Sequence, residues 1–344
     1  MNFAAAISEE TIRPRALMDD KRAAVDADRD YLLARRGEWV EVGCPACDRP
    51  ASRVYGIKAG FTYVKCPECA TVFSSPRPSL ALSHEFYAQS KNYAYWNRHV
   101  FPATAAVRRE RIFRPRAERT VRCCESLRWR KPVLLEVGAA FGLFCEEARR
   151  LGFFDRVIAL EPTPDLAATC RRNGLEVLEM PLENLPDGRP IADVVAAFEV
   201  LEHVFSPRAF VERCHSALRP GGLLILTCPN VEGFDVALLG VQSATFDHEH
   251  VNYFHTRSLP ALLEGCGFRV IEISTPGQLD ADIVRKRTLA GDVALDGQPL
   301  LQRILIDEWE KLGGPFQQFL SQNALSSHMW VVAEKVETRT PTPG

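Results

Sequence analysis

No apolar run in this sequence of 344 residues approaches the roughly 20 that a bilayer span requires. Residues 1–30 lack the apolar core of a signal peptide and carry mixed charges, so a cytoplasmic protein is expected. An excess of one charge is missing as well. With 42 Lys and Arg against 44 Asp and Glu, the formal net charge of −2 gives no global attraction to nucleic acid or membrane. Without a secretory signal, the eleven cysteines point to metal ligands and free thiols and not to a disulfide framework. The dinucleotide fingerprint G-x-G-x-x-G is also absent: from Gly138 onward, Ala140 holds the middle glycine position and Leu143 the third.

What is present around that position organises the chain. Val133-Leu134-Leu135-Glu136-Val137 is a short apolar run ending at small residues, and Phe144-Cys145-Glu146-Glu147-Ala148 then reads as a helix. A buried strand, a tight turn and a helix N-terminus are the construction of a nucleotide-type cofactor site, where a Cβ would hold the ligand off the backbone. The next strand, Val157-Ile158-Ala159-Leu160, ends in Glu161, placed to accept from ribose hydroxyls. The run Glu136-x-Gly138-x-Ala140-x-Gly142 resembles the first motif of class I S-adenosylmethionine (SAM)-dependent methyltransferases, with alanine for the central glycine. The resemblance implies an α/β fold: a Rossmann-like, seven-strand class I methyltransferase domain. It makes SAM the expected cofactor, bound by Glu136, Gly138, Ala140, Gly142, Glu161 and Pro162. The adenine would lie near Leu182, in Pro181-Leu182-Glu183-Asn184. Glu199-Val200-Leu201-Glu202-His203 resembles the fourth motif of the small-molecule members and adds Glu199 and His203 to the cofactor cleft.

Upstream, Cys44-Pro45-Ala46-Cys47 is followed after 18 residues by Cys66-Pro67-Glu68-Cys69. This is the spacing of a zinc site, and four thiolates at ~2.3 Å would close the coordination sphere, making the zinc structural. Arg53–Ile57 and Phe61–Lys65 read as strands of a ribbon between the pairs. The expected organisation is a tail (1–37), a zinc ribbon (38–80), a basic helical linker (81–131), the methyltransferase domain (132–336) and a disordered end (337–344). Between Lys91 and Lys131 there are twelve Lys or Arg and three Glu, either a phosphate-binding patch or a solvated helix packing Ile112, Val121 and Leu127 inward. Helices are expected at 164–173, 207–219 and 256–265, and strands at 175–180, 193–198, 223–227, 268–274 and 329–335. The last two should form an antiparallel hairpin, with 277–327 as a helical insertion.

The second unusual stretch is Phe246-Asp247-His248-Glu249-His250-Val251-Asn252-Tyr253. It follows the fifth strand, on the cleft side of a parallel sheet. His248, Glu249 and His250 offer a general base, or metal ligands, or a structural polar loop. Consecutive side chains diverge on a regular backbone, so at most two of them share a site without help from elsewhere. His248-Glu249-His250 with Tyr253 is similar to the catalytic loop of deoxysugar C-methyltransferases, which also carry two cysteine pairs ahead of the methyltransferase domain. That resemblance, over roughly 44–255, implies proton abstraction by Glu249 and His250 beside a keto-sugar, although Asp247 stands where a tyrosine is common.

The reading is therefore a SAM-dependent methyltransferase with His250 or Glu249 as base, and with His203 and Tyr253 lining the pocket. A nucleotide-linked sugar or similar small polar molecule is the expected acceptor, with C- or O-methylation and a homodimer left open. A ribbon-bearing RNA methyltransferase and a catalytically silent binding module are the alternatives.

Overall fold

The computed structural model describes residues 9–50, 53–125, 129, 131–186 and 190–336. Leu127 and the end from residue 337 onward, for which packing and disorder were expected, lie outside them.

The ribbon contains β1 (Trp39–Val40), β2 (Arg53–Lys58), β3 (Phe61–Lys65), β4 (Val72–Ser74) and β5 (Arg77–Pro78). β2 and β3 form the expected hairpin, and β4 continues the antiparallel sheet alongside β3. Next come β6 (Val133–Val137), β7 (Arg156–Leu160), β8 (Glu176–Leu178), β9 (Ala192–Phe198), β10 (Leu218–Pro229), β11 (Asn252–Tyr253), β12 (Phe268–Ser274) and β13 (His328–Lys335). The large sheet has the order β12-β13-β10-β9-β6-β7-β8. Its β6, β7, β8, β9 and β10 run parallel, and the β12–β13 hairpin joins β10 antiparallel, as expected.

β6 is buried at every position, the pattern of a central parallel strand covered on both faces. Alternate side chains divide between two cores. Leu135, Ile158, Val195 and Leu224 pack with Phe210, Val211 and Cys214 of the helix Pro207–Ala217. Leu134, Ala159, Val194 and Ile225 pack with Phe144 and Ala148 of the helix Leu143–Arg150 and with Ala117 and Cys124 of Arg114–Glu125.

The helix expected to reach residue 219 stops at Ala217, because Leu218 already pairs with Ala192 and the ladder resumes at Leu223 after a register shift. The third strand is shorter than expected, Glu176–Leu178. The 277–327 insertion is helical (Asp280–Leu289, Pro299–Gln302, Trp309–Gln322), with its own core of Val284, Leu305 and Leu320.

Two findings modify the expected organisation. The N-terminal segment is helical from Glu9, and it is anchored: buried Asp28, on the helix Arg22–Ala34, accepts from Ser90 Oγ (2.6 Å) and from the amides of Lys91 and Asn92 (2.9 Å each). The ribbon is not closed within 38–80: β1 pairs only with β5, and the sheet of β2, β3 and β4 takes its fourth strand from β11, paired through Asn252↔Phe73 and Tyr253↔Val72.

Candidate active site

The turn after β6 is built from left-handed residues: Gly138 and Gly142 at φ 73° and Ala140 at φ 48°. A Cβ on Gly138 would meet Val200 Cγ2 at 2.8 Å, and one on Gly142 would meet Leu175 Cδ1 at 2.4 Å. Ala140 keeps a conformation rare for a side-chain-bearing residue, a strain typical of ligand-binding turns. Glu161, buried at the end of β7, accepts from the amides of Ala140 (2.8 Å) and Thr163 (2.9 Å). Each carboxylate oxygen has a second lone pair, so the group that fixes the turn retains acceptors for a ligand diol. Burial pushes its pKa up. The turn and this acid fit SAM. Leu182 is buried in a short helical turn (Leu182–Asn184), while Pro162 is exposed. Glu136 is buried under the turn and accepts from Cys145 Sγ at 3.0 Å. Desolvation outweighs that bond and raises its pKa to about 8.

Val200, the side chain against Gly138, belongs to the turn that follows β9. Glu199, at φ 56°, accepts from Thr227 Oγ1 (2.6 Å) and Arg116 (3.2 Å) and lies 3.5 Å from His328. Burial opposes its ionisation, but His328 and Arg116 prevail and hold its carboxyl well below the usual range. Four residues on, His203 faces His250, with ring centroids 4.6 Å apart. The acid–histidine loop is stapled to this turn: the amides of Val251 and Asn252 donate to Glu202 O, and Asn252 Nδ2 donates to Val204 O at 2.8 Å.

The three consecutive loop residues diverge, as expected. His250 points to Glu202 and His203, while His248 and Glu249 point to Asp28. His250 Nδ1 lies 2.7 Å from Thr245 O, so it is the protonated nitrogen and Nε2 keeps its lone pair. Burial lowers the His250 pKa, but Asp247 and Glu202 outweigh it and the net shift is upward. The His203 ring is driven down to about 3, first by burial and then by His250, and stays neutral. Glu249 accepts from Asn92 Nδ2 at 2.6 Å, and burial raises its pKa to about 7. His248 is buried edge-on to Phe86.

Tyr253, expected in the acceptor pocket, is fully buried in the ribbon core. It stacks on Phe246 at 4.3 Å and donates its hydroxyl to His250 O at 2.7 Å, so it orients the loop from within the core and does not form an exposed wall. Sequence reasoning missed the other props of the loop. Lys58 Nζ donates to the carbonyls of Ser243 (2.8 Å) and Phe246 (2.7 Å), and Tyr63 donates to Asp247 O (2.9 Å). It also missed Asn92, which comes from the linker, as does Tyr87, whose hydroxyl donates to Glu249 O at 3.3 Å. Among the described residues most linker arginines are engaged internally: Arg109 and Arg114 bind Glu147, Arg116 binds Glu199, Arg119 binds Glu272, Arg108 donates to Ile12 O and Arg111 pairs with Glu110.

The four sulfurs of Cys44, Cys47, Cys66 and Cys69 converge within 4.8 Å, with Cys44–Cys69 at 3.4 Å and Cys47–Cys66 at 3.6 Å. An S4 tetrahedron at ~2.3 Å from zinc has edges near 3.8 Å, so the set fits. Both knuckles repeat one backbone pattern. The amides of Asp48 and Ala70 return to the carbonyls of Cys44 and Cys66, and both residues are left-handed (φ 58° and 60°).

Residues 106–273 match a family model described as a methyltransferase domain. A ubiquinone biosynthesis O-methyltransferase from Xanthomonas euvesicatoria is 30% identical over 155 residues, covering 41% of this chain and 64% of that protein. Its namesake from Bradyrhizobium sp. is 30% identical over 135 residues, 37% of this chain and 50% of that protein. The chain thus spans about half to just under two thirds of the length of these curated relatives. The 1,6-didemethyltoxoflavin-N1-methyltransferase structure from Burkholderia thailandensis aligns with a TM-score of 0.46 at 15% identity, covering 83% of this chain and all of that one. The two curated relatives are named O-methyltransferases, so they lend no support to the expected kinship with deoxysugar C-methyltransferases. Among the described residues no helix is long and apolar enough to cross a membrane. The strand order and the glycine turn with Glu161 give the Rossmann-like α/β fold of methyltransferases, and the segment that matches the methyltransferase family model spans just under half of the chain.

Proposed function

We propose that the chain transfers the methyl group of SAM to an oxygen of a small polar acceptor, with the acid–histidine cluster receiving the acceptor's proton. The observation that carries this reading is the contiguity of the two motifs. The glycine turn packs on Val200, and His203 of the same turn faces His250, whose Nε2 lone pair is free. SAM supplies an electrophilic methyl on a sulfonium; the chain aligns the nucleophile and disposes of its proton. His250 suits the second task, because its Nδ1–H is fixed by Thr245 O and acids stabilise the imidazolium.

Oxygen as the methylated atom draws on the names of the curated relatives. A nucleotide-linked sugar as acceptor draws only on the cysteine pairs and His248-Glu249-His250. Internal pairing of the linker arginines weighs against an RNA substrate. Labelled SAM should be offered with keto-sugar nucleotides, with hydroxylated aromatic acceptors and with bulk RNA. Labelling of a small acceptor, cut about 10²–10⁴-fold by His250→Ala at unchanged SAM affinity, is expected. Labelling of RNA alone, or full turnover in His250→Ala, would overturn the reading.

A further inference from the structure

Two cations lie over one ring: Lys21 Nζ is 5.2 Å and the Arg108 guanidinium carbon 5.3 Å from the centre of Trp96. A ring quadrupole attracts a cation without neutralising it, and half-buried cations are normally met by an acid. Among the described residues these two are not. The Lys21 ammonium has no hydrogen-bond acceptor there, and Arg108 donates to neutral oxygens, Thr104 Oγ1 (2.9 Å) and Ile12 O (2.7 Å), leaving N–H groups of its fork unused. Arg13, next to Ile12, adds a third positive charge, with Glu9 at a long 3.7 Å. Burial lowers the pKa of Lys21 and takes that of Arg108 to about 10, and Arg13 lowers both further. The cluster borders the candidate site on two sides. Trp96 stands four residues after Asn92, which donates to Glu249, and Phe101, under Arg108, packs on Phe141 of the glycine turn with centroids 4.4 Å apart. The acids nearest Lys21 are already engaged: Asp247 accepts from the amides of Glu249 and His250, and Glu249 from Asn92.

We propose that Lys21, Arg108 and Arg13 form a subsite for an oxyanion, a carboxylate or phosphate group carried by the molecule to be methylated. The proposal rests on the methyl-transfer reading above and narrows its acceptor to an acidic one. An oxyanion supplies the acceptors that the ammonium and the guanidinium fork lack, and charge-assisted bonds of this kind are the strong ones. It also relieves the repulsion among the three cations. Lys21 and Arg13 belong to the N-terminal segment, ahead of the cysteine pairs, which buried Asp28 ties to the linker at Ser90, Lys91 and Asn92. That segment is then a specificity element: it grips the acidic end of the acceptor, and the acid–histidine loop meets the end that is methylated.

Two matched probe pairs test this by calorimetry on the full-length chain in phosphate-free, low-salt buffer. 3,4-Dihydroxybenzoate is compared with 3,4-dihydroxybenzamide, and glucose 1-phosphate with methyl glucoside. The acidic member of at least one pair should bind at least about 10-fold tighter than its neutral partner, a preference that fades as salt is added. Preference in the first pair alone assigns a carboxylate, in the second alone a phosphate. Lys21→Met, checked for native circular dichroism, should reduce the preference to less than about 3-fold, and Lys21→Arg should restore it, which a merely structural role would not do. Arg108→Met, checked in the same way, should reduce it as well. Absence of acid preference in both pairs, or its survival in folded Lys21→Met and Arg108→Met, would overturn the subsite. Titration of the same samples with SAM separates the two readings. Acid preference without SAM uptake keeps the anion subsite and removes the methyl-transfer reading, and SAM uptake without acid preference removes only the subsite.

Discussion

His255 donates from Nε2 to the carbonyl oxygen of Cys69, 2.8 Å away, so a cysteine knuckle is bonded directly to the segment that follows the acid–histidine loop. The same segment enters the ribbon sheet as β11, and Lys58 and Tyr63 hold the carbonyls of residues 243, 246 and 247. The ribbon is therefore a frame for the candidate catalytic loop. Cys69→Ser, or zinc removal with a strong chelator, should lower turnover at least about 10-fold while SAM affinity changes less than about 3-fold, because the glycine turn lies on a different part of the fold. Zinc content, turnover and SAM calorimetry on one preparation test this. Undiminished turnover in zinc-free protein would show that the frame is dispensable.

Glu161 fixes the glycine turn, and its spare lone pairs are the proposed acceptors for the cofactor's diol. Glu161→Gln keeps the shape but turns one acceptor into a donor facing an amide N–H. Charged hydrogen bonds contribute about 1.5–3 kcal/mol, so SAM affinity should fall roughly 10- to 100-fold. Isothermal titration measures it directly, and an unchanged Kd would remove Glu161 from the site.

The strand–turn–helix, Glu161, the cysteine knuckles and the hairpin of 268–274 with 328–335 were legible because each is written in contiguous residues with a fixed period or spacing. The His248/His250 divergence was legible for the same local reason. The fourth strand of the β2-β3-β4 sheet was not, since Asn252-Tyr253 is too short to show alternation and its partners, Phe73 and Val72, lie far away in the sequence. Tyr253 was misplaced on that account: an aromatic next to a catalytic motif reads as a pocket wall until its stacking on Phe246 is known. The joining of Glu202 to His203 and His250 depends on the same long-range pairing.

Glu136 should impose a pH dependence on the protein without SAM. Burial raises its folded-state pKa to about 8 from 4.5. An acid with a raised folded pKa stabilises the fold fully below its unfolded pKa, and that contribution is lost as pH rises toward 8. Glu136→Gln removes the penalty. Its melting temperature should therefore exceed that of the wild type at pH 8 by a few degrees, with the difference shrinking toward pH 5. A constant difference across that range would mean that Glu136 titrates normally.

Arg77 joins the ribbon to the methyltransferase domain and is 2% exposed. Its guanidinium donates to Ser74 O (2.9 Å), Phe205 O (3.1 Å), Asn252 Oδ1 (3.0 Å) and Val251 O (3.3 Å), and burial pulls its pKa down to about 9. A planar fork is needed to reach acceptors on three segments, and a lysine ammonium offers one point in place of that fork. Arg77→Lys should cost about 3–5 kcal/mol, a fall in melting temperature on the order of 10 °C. Two of the lost acceptors are Val251 and Asn252, so the loosening centres on the residues that hold His250 against Glu202. At a temperature where the variant is still folded, turnover should fall while SAM affinity stays at the wild-type value. Equal melting temperatures for the two proteins would mean that the bonds at Arg77 do not hold the ribbon in place.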